Sequence, residues 1–120
     1  MNKTTFSVKP ELFVREGGRV LRINFDVEEE KVKGPQGNEE EYTQYKAYSV
    51  RVKMPLEYPN IVSSIITAAY SDDEMQAIIN NHLSDSSNTE FKLEYEMMQF
   101  WRDHAKEIAK RVVDEYQQTL

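Results

Sequence analysis

In the stretch Arg19-Val20-Leu21-Arg22-Ile23-Asn24-Phe25-Asp26-Val27, apolar and polar side chains take turns. Leu21, Ile23, Phe25 and Val27 fall on one side of an extended chain, and Arg22, Asn24 and Asp26 fall on the other. A repeat of two is the signature of a strand with one dry face and one wet face. The stretch therefore predicts a strand in a sheet covered on one side.

Upstream, Glu16-Gly17-Gly18 is a turn, because glycine enters positive φ without a steric penalty. Before it, Thr5 to Glu16 is rich in Phe, Val and Leu but contains Pro10. Proline donates no ladder hydrogen bond, so this run is an edge strand or a strand broken by a bend. Downstream, Tyr42 to Met54 alternates again. Tyr48, Val50, Val52 and Met54 form one row, and Tyr45, Ala47, Ser49, Arg51 and Lys53 form the other. Leu21, Ile23, Phe25, Val50 and Val52 are expected to be buried together against helices. Between the runs, Gly34-Pro35-Gln36-Gly37-Asn38 is flanked by Glu28-Glu29-Glu30 and Glu39-Glu40-Glu41. It reads either as the tip of a long hairpin or as an acidic loop, and residues 34–41 are expected to be the most mobile internal segment.

Beyond Pro55 and Pro59 the period changes to that of helices. Asn60 is the expected N-cap before Ile61, Val62, Ile65, Ile66 and Ala69. Ser71-Asp72-Asp73-Glu74 and Ser87-Asn88-Thr89-Glu90 fit capping boxes that open two more helices. Met75, Ile78, Ile79 and Leu83 make the apolar stripe of the first of these. The last helix runs for about 28 residues, or ~40 Å. Its main stripe is Phe91, Tyr95, Met98, Ala105, Ile108, Ala109, Val112 and Tyr116, with Trp101 at the border.

Strands grouped before helices give an α+β chain: an antiparallel sheet of about three strands over residues 5–54, then three helices over residues 60–117, in one domain spanning 1–120. The chain has 120 residues and no cysteine, which excludes disulfides and thiolate chemistry. No run approaches the roughly 20 apolar residues of a membrane span, and no signal peptide is evident, so a cytoplasmic protein is expected. The net charge of −6 is unevenly placed: residues 42–54 hold three bases and no acid, and residues 55–90 hold six acids and no base.

The chemistry-bearing motifs are sparse. His82 sits at a helix end, and His104 lies on the last helix with Trp101, not Glu, three residues before it, so the Glu-x-x-His pattern of di-iron helices is absent. Asp72-Asp73-Glu74 lacks calcium-loop spacing and suits a helix N-terminus. No Gly-x-Ser-x-Gly or phosphate-loop motif occurs. No catalytic residue, cofactor or metal site is expected, and the chain reads as non-enzymatic.

Two surfaces stand out instead. On the last helix, Leu93, Met97 and Phe100 lie at roughly 200°, 240° and 180° from Phe91 at 100° per residue, well away from the main stripe. With Trp101 they form a second apolar face, which packs on the sheet or meets another chain; a homodimer is the simplest such partner. The alternative surface is basic: Arg22, Tyr45, Arg51 and Lys53 on the polar row of the sheet, a base-plus-aromatic set suited to single strands. The acidic balance of the whole chain weighs against nucleic acid as a partner.

The helical half also carries a resemblance. Tyr58-Pro59-Asn60-Ile61-Val62, Ala69-Tyr70-Ser71-Asp72-Asp73-Glu74, Ala77-Ile78-Ile79-Asn80-Asn81, Glu90-Phe91 and the segment Trp101 to Lys106 together resemble small proteins encoded in the tail regions of phages and prophages. In those a short helix ends in a tyrosine, a Ser-Asp-Asp-Glu-like cap opens the next, and a helix with aromatic and Ala-Lys residues follows. The resemblance covers about half of the chain and implies an assembly or interaction role, with no catalytic residues.

Overall fold

The computed structural model describes residues 1–34 and 40–120. The chain is α+β, with four strands followed by three helices. They are β1 (Thr4–Phe6), β2 (Phe13–Arg15), β3 (Val20–Lys33), β4 (Glu41–Lys53), α1 (Tyr58–Ala69), α2 (Asp72–Ser84) and α3 (Thr89–Gln118). Two compact units, Met1–Pro55 and Leu56–Leu120, divide at the proline-bracketed linker.

In the first unit all pairing is antiparallel, in the order β1-β4-β3-β2. The run with Pro10 is thus broken rather than continuous. Its two ends become the two edge strands, one strand more than the sequence suggests. A chain that leaves one edge and returns at the other must cross the sheet, and the Ser7–Leu12 connection does so. It is fastened by Asn24, whose Nδ2 donates to the Glu11 carbonyl at 2.9 Å and whose Oδ1 accepts the Ser49 hydroxyl at 2.9 Å. Asn24 belongs to the row expected to be wet, yet it is only 3% exposed. Its burial is tolerated because both ends of the amide are bonded.

The dry row is as the alternation requires: Leu21, Ile23, Phe25, Val50 and Val52 are all buried, with Leu21 opposite Val52, Ile23 opposite Val50 and Phe25 opposite Tyr48. The Glu16-Gly17-Gly18 turn closes β2 onto β3 with both glycines at positive φ, 91° and 56°.

Val27 departs from expectation and is exposed. The register slips between Phe25 and Glu28, so that Asp26 and Val27 together face Ala47. This is a β-bulge, with Asp26 at φ 54° in the left-handed region that aspartate enters more readily than most residues. One extra residue reverses the alternation. Beyond the bulge, Glu28 and Glu30 take over the face of Phe25 and stand opposite Lys46 and Gln44. Glu28 pairs with Lys3 at 2.7 Å, and Glu30 accepts the Gln44 amide and lies 3.6 Å from Lys46. The ladder then runs to Lys33 opposite Glu41, giving the long hairpin rather than a bare loop. The expectation of mobility over residues 34–41 falls largely on residues 35–39, outside the described residues.

In the second unit α1 and α2 each pack on α3. Ile61, Ile65 and Ile66 of α1 and Met98, Ala105, Ile108, Ala109 and Val112 of α3 are buried, following the main stripe. Caps explain the helix starts. Ser71 Oγ accepts the Glu74 amide at 3.1 Å, as expected. The other two starts differ. The N-cap of α1 is Glu57, not Asn60, because Pro59 sits in the first turn, where its missing N–H costs nothing. The N-cap of α3 is Asn88, whose Oδ1 accepts the Phe91 amide at 3.1 Å. Ser87 instead donates to Asp85 Oδ1 at 3.0 Å. Leu83, expected in the stripe of α2, is 74% exposed in that helix's last turn, and α2 has no fully buried residue.

Candidate functional site

The second apolar set on α3 is exposed. Leu93 is 56%, Met97 57% and Phe100 72% exposed. Their spacing places them on consecutive turns of one side of the helix, so they form one patch. The patch has a floor on one flank. Tyr70, Ala77, Ile78, Asn81 and Met97 line a groove of about 400 Å³ between α2 and α3, with Glu74 and Glu94 at its rim. Met97 thus belongs to both the ridge and the groove. Phe100 stacks on the His104 ring at a centroid distance of 6.2 Å, which extends the face by one turn.

Trp101 does not share that face. It is half-buried, and its Nε1 donates to the Ile65 carbonyl at 3.0 Å. It anchors α1 to α3 from the border of the core, so the sequence-derived set of Leu93, Met97, Phe100 and Trp101 divides into three surface residues and one packing residue. The histidines take packing places too. His82 stacks on Tyr95 at 4.6 Å, and His104 lies against Phe100 and Trp101, with Glu107 3.9 Å from its Nδ1. Among the described residues, no three of His, Cys, Asp and Glu are grouped to hold a metal ion.

The basic set on the sheet is brought together only in part. Arg22 and Arg51 stand directly opposite each other. Like charges so placed repel, and an acid from outside that row offsets part of the repulsion. Glu16, in the turn before β3, receives Arg22 Nη2 on one oxygen at 2.6 Å and Arg51 Nε on the other at 2.6 Å. The hydrogen bond from Arg51, with the charge of Arg22 beside it, lowers the Glu16 carboxyl below the usual range, and the same bond raises Arg51. Lys53 lies two residues beyond Arg51 on the same row and is exposed. Tyr45 is six residues away, roughly 20 Å along an extended strand, opposite Phe6 of β1. The aromatic is therefore out of reach of the arginine pair. The signal for Glu16 was its place at the glycine turn, which returns the chain alongside β3, but its partner on β4 depends on the hairpin register.

No protein-family model, curated protein or solved structure matches this chain. The functional reading therefore rests on the surfaces themselves. No helix among the described residues is long and apolar enough to cross a membrane.

Proposed function

We propose that this chain is a non-enzymatic, cytoplasmic interaction or assembly module of phage or prophage origin, and that it binds a protein partner through the outer face of α3. The observation that carries this reading is the exposure of Leu93, Met97 and Phe100 on three successive turns. Large apolar side chains cost free energy in water, about 25 cal/mol per Å². A contiguous patch of a few hundred Å² is the kind of surface that marks association. The adjoining groove gives the patch relief, a ridge at Phe100 beside a hollow at Ala77 and Ile78, as a docking surface needs. The phage tail-region resemblance of the helical half leads to the same role. A second copy of the chain is the simplest partner, because a two-fold contact needs one patch only.

The alternative, a nucleic-acid-associated protein using the basic sheet face, is less well supported. Glu16 neutralises part of the arginine pair, and Tyr45 is too far away to offer a stacking platform beside it.

Met97→Glu places a charge between ridge and groove. Sedimentation velocity and thermal melting then decide. Loss of the dimer, or of a complex with an isolated partner, at unchanged melting temperature is the expected result. A variant that unfolds would assign the face to internal packing, and one unchanged in both assays would remove the main argument for an interaction module. The neighbouring genes test the phage origin.

A further inference from the structure

The arginine pair lies at the wall of a second groove, of about 350 Å³, lined by Thr4, Arg22, Ser49 and Arg51. We propose that this groove is a binding site for a small oxyanion, the phosphate or carboxylate group of a ligand, held by the two guanidinium groups beside Glu16.

Three observations carry the assignment. The first is charge. Two guanidiniums share one carboxylate; among the described residues, Glu16 is the one acid in ion-pair range of either. The local sum is +2 − 1 = +1, and one further negative charge balances it. The second is an open donor. Arg22 Nε is buried and has no acceptor within the chain. A buried donor without an acceptor is unfavourable, and a bound acceptor that meets it removes that cost. The third is the shape and lining of the site. Unlike the apolar groove between α2 and α3, this one is walled by two arginines and two hydroxyls. The Ser49 hydrogen is committed to Asn24 at 2.9 Å, so Thr4 supplies the hydroxyl donor. Arginine forks match the planar, multi-oxygen geometry of carboxylate and phosphate. Glu16 already shows what the pair recognises: its carboxylate takes Arg22 Nη2, Arg51 Nε and, at 3.3 Å, Arg51 Nη2.

Glu16 is then both a neighbour and a competitor of the ligand. This gives a test that simple charge screening does not mimic. Inorganic phosphate is titrated into the full chain at constant ionic strength set with potassium chloride, while the arginine Nε–H signals are followed by nitrogen-15 NMR. The expected result is saturable movement of the Arg22 and Arg51 signals with Kd on the order of 1 mM. Arg51→Gln should weaken binding at least about tenfold, the size of one lost charge-assisted hydrogen bond. Glu16→Gln should tighten it, because the competitor is gone and the groove carries one more unit of positive charge. Acetate in place of phosphate distinguishes a carboxylate ligand from a phosphate one, and saturable binding of either supports the site. Signals that stay still up to the solubility of phosphate would overturn the proposal. So would shifts that potassium chloride alone reproduces, or binding that Glu16→Gln weakens. If oligothymidylate moves the same signals and phosphate and acetate do not, the groove is a nucleic-acid contact and the small-ligand assignment fails. Arg51→Lys guards against misfolding: it keeps the charge and should retain part of the binding.

Discussion

Asn24 is the residue on which the crossing of the first unit depends, and its removal has a calculable cost. In Asn24→Ala the Glu11 carbonyl loses its donor and the Ser49 hydroxyl loses its acceptor. Each of the two hydrogen bonds is worth about 1 to 1.5 kcal/mol. The expected destabilisation is ~2–3 kcal/mol, a large part of the roughly 5–15 kcal/mol that stabilises a domain. For 120 residues this corresponds to about 10 °C in melting temperature. Urea denaturation followed by far-ultraviolet circular dichroism gives the free energy. Amide exchange gives its location, with protection lost first around residues 11–14 and 22–24. Ser49→Ala should cost about 1 kcal/mol, and the double variant should cost less than the sum by about 1 kcal/mol, since both singles break the same bond. Asn24→Ala within 0.5 kcal/mol of the parent, or strict additivity with Ser49→Ala, would refute the fastening role.

The helix caps make a paired comparison: Asn88→Ala should lower stability by ~1 kcal/mol, and Ser71→Ala by a similar amount, whereas Ser87→Ala should stay within about 0.5 kcal/mol in the same urea assay. A larger loss for Ser87 than for Asn88 would move the start of α3. The Glu16 carboxyl is depressed in the folded chain, first by the Arg51 hydrogen bond. Its contribution to stability is therefore present above the unfolded value and lost as pH falls through the depressed one. Comparing urea midpoints at neutral pH and at about pH 3, Glu16→Gln should show a smaller acid loss than the parent; an equal loss would show that the pairing does not act in solution.

The order of strands and helices was legible because each rests on a local signal. Period-two runs and a glycine turn gave the hairpins, and capping residues gave the helix starts to within a few residues. What escaped was set by contacts distant in sequence. Residues Thr5 to Glu16 carry the same apolar content whether they form one bent strand or two edges, and the choice depends on which neighbours β3 and β4 leave unpaired. The bulge at Asp26 and Val27 was hidden because the alternation Phe25, Asp26, Val27 is unbroken in sequence. Only the register against Ala47 shows that Val27 has left the row of Leu21, Ile23 and Phe25. Ser87 and Asn88 are both good caps one residue apart, and the side chain that loses the amide of the first turn finds another partner in Asp85.

The candidate sites follow the same division. Helical geometry alone separated Leu93, Met97 and Phe100 from the main stripe, because an angle around one helix needs no tertiary knowledge. Whether that face is covered depends on the rest of the unit, and the structure leaves it open. The basic face shows the opposite case. Arg22, Arg51 and Lys53 read in sequence as one basic row, and at the level of one strand that reading is consistent. It fails when the hairpin sets two arginines side by side, since an uncompensated pair would repel. The fold answers with Glu16, delivered by the Gly17-Gly18 turn. A surface that composition marks as a broad electrostatic platform is thus narrowed to a small groove with a single unit of unbalanced charge. A groove of that kind selects for the number and geometry of a ligand's oxygens, whereas a platform would respond mainly to total charge. Phosphate titrated at constant ionic strength separates the two behaviours, since a groove saturates with the ligand whereas a platform follows the ionic strength alone.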